Sequence, residues 1–421
     1  MKISRFVAPV ALALSALFAQ GGAQADTVKM LSVEPNIQAG KDFYFNAKKD
    51  FEAKNPGTTI QLEFLDDASY KSKLPTLLQS SARPDVFFTW TGGVFQEQAK
   101  AGVLKDISAE VNAGWKDTFS PGGIAALSYK GKYYGAPMYA ASVVLWYNKK
   151  LLAQAKVDPA SIQSWDDFLG AVKQIKAAGI TPIVVGGKDK WPLAFYYGFL
   201  ATRIAGAEGI ANADAGNGGG FDSPDFVRVG TEFKRLVDLQ PFQPGFMDTN
   251  NNKAAGLFGD GKGAFHLMGN WLYGSQQKNS TSGKGLGDDE LGLIRFPMVK
   301  DGKGKPTDTF GGVNGWLVTK DASPSAVKWL KHLLSKENQI EGGRLGLWLP
   351  IAKDASSGVQ IPLIRQVVAQ FDQSEHHQLY LDQALGASVG ATLNDVTAEI
   401  ATGEITPKEA AKRVEEARRM R

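Results

Sequence analysis

The chain has 421 residues, carries 47 Lys+Arg against 43 Asp+Glu for a formal charge of +4, and contains no Cys. That length predicts two or three domains, and 43% hydrophobic with 21% charged residues is a globular composition, which excludes disorder, coiled coil and collagen. The near cancellation of charge excludes a polybasic nucleic-acid binder, and the lack of Cys excludes a disulfide framework, a Cys-based zinc site, an iron–sulfur cluster and a Cys nucleophile.

The chain opens with Lys2 and Arg5, then runs apolar and uncharged from Val7 to Phe18, too short a stretch to span a membrane. Gly21-Gly22-Ala23-Gln24-Ala25 follows, with small residues at the two positions a signal peptidase reads. The pattern predicts a leader over residues 1–25 that is cleaved before Asp26. No Cys stands at that site to take a lipid and no later segment reads as a second anchor, so the expected location is the periplasm, with no direct membrane anchor. The lack of Cys suits that oxidising compartment.

Beyond the leader, strand and helix signals alternate, which argues for an α/β fold. Val28 to Leu31 reads as a strand, and Phe43, Ala47 and Phe51 mark a helix that ends near Asn55-Pro56-Gly57. Thr59 to Phe64 alternates as a second strand, with Ile60, Leu62 and Phe64 on one face. A helix over 70–80 leads to Pro84-Asp85-Val86-Phe87-Phe88, a buried strand that opens into Thr89-Trp90-Thr91-Gly92-Gly93. Ser164 is the expected cap of a helix whose apolar stripe is Trp165, Phe168, Leu169, Val172 and Ile175, ended by Gly179, and Thr181 to Val185 is the next expected strand. The stretches 212–222, 283–290 and 301–308 read as polar, Gly-rich loops. The last 50 residues read as helical, with Thr406 as cap, Pro407 at the first position and Glu409 three after the cap.

Several motifs point to chemistry only weakly. Gly256 to Gly263 approaches a phosphate-binding loop, but Gly263 stands where Ser or Thr should hold a metal, and no strand signal precedes it. It reads as a helix end, a turn and then a strand over 264–268. The adjacent carboxylates Asp66-Asp67, Asp166-Asp167 and Asp288-Asp289-Glu290 do not supply the 5 to 9.5 Å spacing across a bond that glycosidic chemistry needs. His376-His377 would point about 100° apart on a helix, so the pair reads as a polar helix face and not as a metal site. No cofactor is expected.

The tryptophans are more informative. Trp165 and Trp329 lie on amphipathic stripes and belong to the core, whereas Trp115 and Trp146 have no special context. Trp90, Trp191, Trp271 and Trp348 each sit beside turn residues. Rings at loop ends, with Asp, Asn, Gln and Lys nearby, suit a ligand with apolar faces and a hydroxyl rim, as sugars have.

The order of motifs resembles the extracellular solute-binding proteins of ABC importers, in particular the oligosaccharide group that includes maltose-binding proteins. The resemblance rests on Phe51 to Gly57, Pro84 to Trp90, Tyr134 to Pro137 with Leu145 to Lys149, Met268 to Trp271, Phe310 to Val313, and Gly403 to Ala410. It implies two α/β lobes, each a mixed sheet flanked by helices, joined by a hinge of three crossings. The N-terminal lobe would span 26–137 and 310–348, and the C-terminal lobe 138–309 and 349–421. It also implies ligand-binding roles for Trp271 as the C-lobe platform, Trp90 and Thr91 in the N-lobe ligand loop, Tyr70, Tyr139 at the first crossing, Trp191, Trp348, and Asp382 with Gln383 in the late ligand loop.

Two loops depart from the maltose-binder pattern: Thr91-Gly92-Gly93 lacks charge, and Asp382-Gln383-Ala384-Leu385-Gly386 lacks a Trp. A raffinose-, trehalose- or xylo-oligosaccharide-type ligand is therefore as open as maltose. The expected function is capture of an oligosaccharide and delivery to the transmembrane subunits of an ABC importer by a monomer that binds no nucleic acid and does no catalysis. Two alternatives stand beside it: the same fold carrying a polyamine, glycerol phosphate or metal ion, and a secreted carbohydrate-active enzyme.

Overall fold

The computed structural model describes residues 26–421; the expected leader over 1–25 lies outside them. Nine strands among the described residues join one sheet. In chain order these are β1 (Asp26–Val33), β2 (Thr58–Leu65), β3 (Val86–Trp90), β4 (Gly135–Asn148), β5 (Phe265–Gly269), β6 (Leu291–Ile294), β7 (Thr309–Val318), β8 (Leu349–Pro350) and β9 (His377–Leu379). The main path runs β8-β4-β7-β3-β1-β2, while β5 and β6 pair with β4 and β9 pairs with β7. Strands β1, β2 and β3 are parallel to one another, and β3 meets β7 antiparallel, so Trp90 lies opposite Asn314.

Buried apolar residues form two cores. One gathers β1, β2 and β3 with the first helices and returns at Trp316 to Leu334, Trp348 and Ile351. The other runs from Ala140 through the middle of the chain and then takes Phe310, Leu349 and most of the C-terminal helices. The long strand β4 connects them. Its first half, to Ser142, pairs with β7, and its second half, Val143 to Asn148, pairs with β5 and β6. A register shift between Pro137 and Tyr139 lies within the half that pairs with β7, and bulges of this kind occur where a strand bends. The fold is thus two-lobed, and β4, β7 and the short β8 carry the chain between lobes.

Local chemistry explains most elements. The run Val86-Phe87-Phe88 is buried on both faces, as expected for a central strand of a largely parallel sheet. Ser164 and Asp167 form a capping box on the helix Trp165–Ala177, and Thr406 and Glu409 form another on Pro407–Arg419. The stretch Gly256 to Gly263 is a helix end and turn, with Gly261 at φ +68°. Trp165 and Trp329 are core, and Trp115 and Trp146 are buried as well.

Three expectations are corrected. Thr181 to Val185 is not a strand: only Ile183 bridges, to Phe242 and Phe265. Pro182 has no N–H to donate and so interrupts the ladder. The expected loop 212–222 is instead the end of the helix Gly206–Asp214 and a 3-10 turn over Asn217–Asp222. In that turn Gly218, Gly219 and Gly220 all take positive φ, and the Glu415 carboxylate accepts from the Phe221 N–H at 3.0 Å. His377 lies on a strand rather than a helix face, and its ring nitrogen meets Thr309 Oγ1 at 2.9 Å.

Candidate functional site

The candidate site is the junction between the two cores, which β4 and β7 cross. On the C-terminal side its wall is aromatic. Trp191 begins the helix Trp191–Ile204, whose next residues are buried throughout, so its position is fixed by the core beneath. The preceding Lys190 takes φ +62° with ψ −47°, a sparsely populated conformation that costs a non-Gly residue about 1–3 kcal/mol. Trp191 packs on Phe195 at 5.0 Å between ring centroids and lies 6.5 Å from Trp271. Phe195 stacks on Tyr380 at 5.2 Å and 10°.

Trp271 stands two residues after the end of β5. Its indole lies against Gly269, where an added Cβ would fall 1.9 Å from the ring. Only Gly allows that contact, and it pins one face of the ring. Asn270 ties the same loop to the cleft floor: its side-chain oxygen accepts from the Ser142 N–H at 3.1 Å, and its own N–H donates to the Ser142 carbonyl at 3.0 Å. Trp271 itself is half-buried.

The N-terminal wall is built around Trp90, the last residue of β3, also half-buried. Phe88 and Tyr70 meet its ring edge-on, at 5.0 and 5.9 Å. The Lys71 ammonium sits 4.9 Å from the ring centre and pairs with Asp67 at 3.0 Å. Burial pulls the Lys71 pKa down, but the charges of Asp67, Asp382 and Asp189 outweigh it and hold it above the ordinary lysine value. Asp189 and Asp382 reach Lys71 from the C-terminal lobe. Burial raises the Asp189 pKa, against a hydrogen bond from the Asn251 N–H at 2.7 Å.

The lobes touch on both sides of this space. Gly92 and Gly93 pack on Gln383 to Gly386, where any Cβ would strike backbone. At another edge Ile37 of the N-terminal lobe meets Gly274 of the C-terminal lobe, with a hypothetical Cβ only 3.0 Å from the Ile37 side chain.

At the floor, Tyr139 is half-buried and Asn314 faces its hydroxyl. The Asn314 side-chain oxygen and the Tyr380 hydroxyl are buried without hydrogen-bond partners. Such groups are costly to leave unpaired, about 1–3 kcal/mol each, and a ligand hydroxyl would satisfy them. Burial raises the pKa of both Tyr139 and Tyr380, so each stays a protonated donor.

The residues singled out from sequence fall into two groups. Trp90, Tyr139, Trp191, Trp271 and Asp382 come together around the cleft. Tyr70, Thr91 and Trp348 are buried behind its wall. The Tyr70 hydroxyl donates to the Phe88 carbonyl, and the Thr91 N–H and hydroxyl both donate to the Val313 carbonyl. Trp348 stacks on Tyr139 at 5.5 Å and presses its other contacts into Phe43 and Gly342. Gln383 is buried, and its amide donates to Asp382 at 2.9 Å. The sequence reading did not single out Lys71, Asp189, Phe195 or Asn314, which also gather here. Asp189 and Phe195 flank Trp191 in the chain, and Lys71 follows Tyr70, so proximity to the flagged aromatics was the available signal. No group of His, Cys, Asp and Glu that could hold a metal ion occurs among the described residues.

A family model described as bacterial extracellular solute-binding protein matches residues 34–340. An ABC transporter extracellular-binding protein of Pyrococcus horikoshii is 26% identical over 381 residues, covering 88% of this chain and 82% of its own. A multiple sugar-binding protein of Streptococcus mutans is 24% identical over 283 residues, 62% of this chain and 63% of its own. Among solved structures, one from work on xylan utilisation by Caldanaerobius polysaccharolyticus superposes with a TM-score of 0.85 at 27% identity, over 93% of this chain and 99% of that one.

Proposed function

The chain belongs to the bacterial extracellular solute-binding protein family, and from that premise we propose that it captures an oligosaccharide between its lobes and delivers it to the transmembrane subunits of an ABC importer. It acts in the periplasm and carries out no reaction. No helix among the described residues is long and apolar enough to cross a membrane.

The observation that carries this reading is the Trp271 platform. One face of the indole is fixed against Gly269, beside Trp191. A sugar ring offers an apolar C–H face to such a surface and a rim of hydroxyls to Tyr139, Asn314, Tyr380 and Asp382. The sugar-binding relative in Streptococcus mutans and the xylan-utilisation structure support the same class. The lobes are 26–137 with 310–348 and 138–309 with 349–421. The two cores support that division except at its edges, where Met138 and Ile351 pack on the N-terminal side and Phe310 on the C-terminal side. Ligand contacts to both lobes would stabilise the closed arrangement over an open one.

Calorimetric titration of residues 26–421 with linear oligosaccharides of two to six units tests the reading. It expects one-to-one binding to one sugar class, with the sugar recovered intact by chromatography after hours of incubation. Release of shorter products would replace it with a carbohydrate-active enzyme.

A further inference from the structure

The charges in the cleft carry a selectivity that the aromatic platform does not. Lys71 lies over the Trp90 ring at 4.9 Å and pairs directly with Asp67 alone, one helical turn earlier, at 3.0 Å. Asp189 and Asp382, on the opposite lobe, act on the same ammonium through space. Neither makes a direct ion pair among the described residues. Asp189 accepts from the Asn251 N–H, and Asp382 from the Gln383 and Asn394 amides at 2.9 and 3.4 Å. Of the neighbouring lysines, Lys190 is spent on Asp395 at 2.6 Å, and Lys188 is exposed and acts on Asp189 only through space. Beside Asp382 lies the Tyr380 hydroxyl, 5% exposed as a residue and unpartnered.

An aromatic face, carboxylates from two directions and an unused hydroxyl are together the chemistry that holds a primary ammonium. We propose that the cleft contains an ammonium subsite, formed by Trp90, Asp67, Asp189 and Asp382, that Lys71 fills from within the chain, so that the protein selects neutral oligosaccharides and rejects amino sugars and uronic acids. An amino sugar must displace a tethered lysine that is already in place, and a uronic acid must approach Asp189 and Asp382. A neutral sugar meets neither cost. Lys71 is held to one lobe by a half-buried pair one helical turn long, a kind that contributes modestly, so its removal leaves the subsite built and empty. This inference rests on the oligosaccharide reading for its biological sense, but the subsite itself can be tested without any oligosaccharide.

The test compares residues 26–421 with the Lys71→Ala variant by thermal denaturation at pH 7, in n-propylammonium chloride against equal sodium chloride, and in D-glucosamine against D-glucose. The variant is expected to gain a saturable rise in melting temperature with propylammonium and with glucosamine, corresponding to binding ~ten-fold or more tighter than in the parent. A folded variant that does not respond overturns the proposal, as does a parent that responds equally. Adding Asp382→Asn to Lys71→Ala should abolish the gain, and a gain that survives removes Asp382 from the subsite and overturns its cross-lobe construction. Should circular dichroism show Lys71→Ala unfolded, Lys71→Gln takes its place with the same two probes and the same criteria. The propylammonium arm involves no saccharide, so its outcome stands apart from any failure of the oligosaccharide reading.

Discussion

The C-terminal wall of the cleft presents Trp191, Phe195 and Trp271 on a buried helix and a pinned loop, whereas the N-terminal wall presents Trp90 alone, with Lys71 over its ring. The aromatics of the C-terminal wall rest on backbone and on each other. Around Trp90 the neighbouring polar groups are consumed internally: Tyr70 on Phe88, Thr91 on Val313, Lys71 on Asp67. The difference teaches a division of labour. The C-terminal lobe offers an apolar surface ready for a ring, and the N-terminal lobe offers charge and closure.

The comparison can be broken at four places. The largest effect should be on stability and should leave binding nearly untouched. Trp348→Ala removes a ring packed on Tyr139 and Phe43 behind the N-terminal wall, at an expected cost of about 3–5 kcal/mol in denaturant unfolding. If affinity falls as steeply as stability, Trp348 is a ligand contact after all.

Acid should find the C-terminal lobe next. His266 is fully buried there, and burial depresses its pKa to about 4, against a hydrogen bond to the Val184 carbonyl. The unfolded chain takes up that proton near its ordinary value of 6.5 while the folded protein does not. Stability is therefore complete above about pH 6.5 and is lost as pH falls from there toward 4, by about 3 kcal/mol. His266→Gln should flatten this part of the pH profile in thermal denaturation, and an unchanged slope would assign the acid loss elsewhere.

The two platform residues then separate the walls directly. Trp271→Ala should weaken sugar binding by at least about thirty-fold, near 2 kcal/mol, with the fold intact by circular dichroism. Trp90→Ala should cost less, about ten-fold, because its ring is already engaged by Lys71, Phe88 and Tyr70. Equal losses from the two would erase the proposed asymmetry, and a reversed order would move the platform to the N-terminal lobe.

Much of the frame was legible in the chain. Strand runs such as Val86 to Phe88 and the Thr406–Glu409 capping box are local signals, and local chemistry decides them. The loop that presents Trp271 was legible for a similar reason, since Gly269 and Asn270 precede it and both shape it. Trp348 misled because Leu349-Pro350 looks like a turn that would expose it. The slot that hides its ring is made by Gly342, on the preceding helix, and by Phe43, distant in sequence. Tyr70 misled because its hydroxyl partner is a backbone carbonyl, which composition cannot reveal. Lys71 was invisible because a lysine four residues after an aspartate reads as a solvated helix pair. Only the folding of Asp189 and Asp382 across the cleft gives it a second role.

The central claim is that this cleft holds an oligosaccharide on Trp271, and a thermal-shift screen of residues 26–421 tests it most directly. The panel should contain oligosaccharides, amino acids and metal ions, since a ligand that binds only the native state raises the melting temperature by mass action. The account predicts a shift with one class of neutral oligosaccharide that disappears in Trp271→Ala. Shifts confined to metal ions or amino acids would contradict it, and would remove the stacking roles of Trp271 and Trp90 while leaving the two-lobed fold in place.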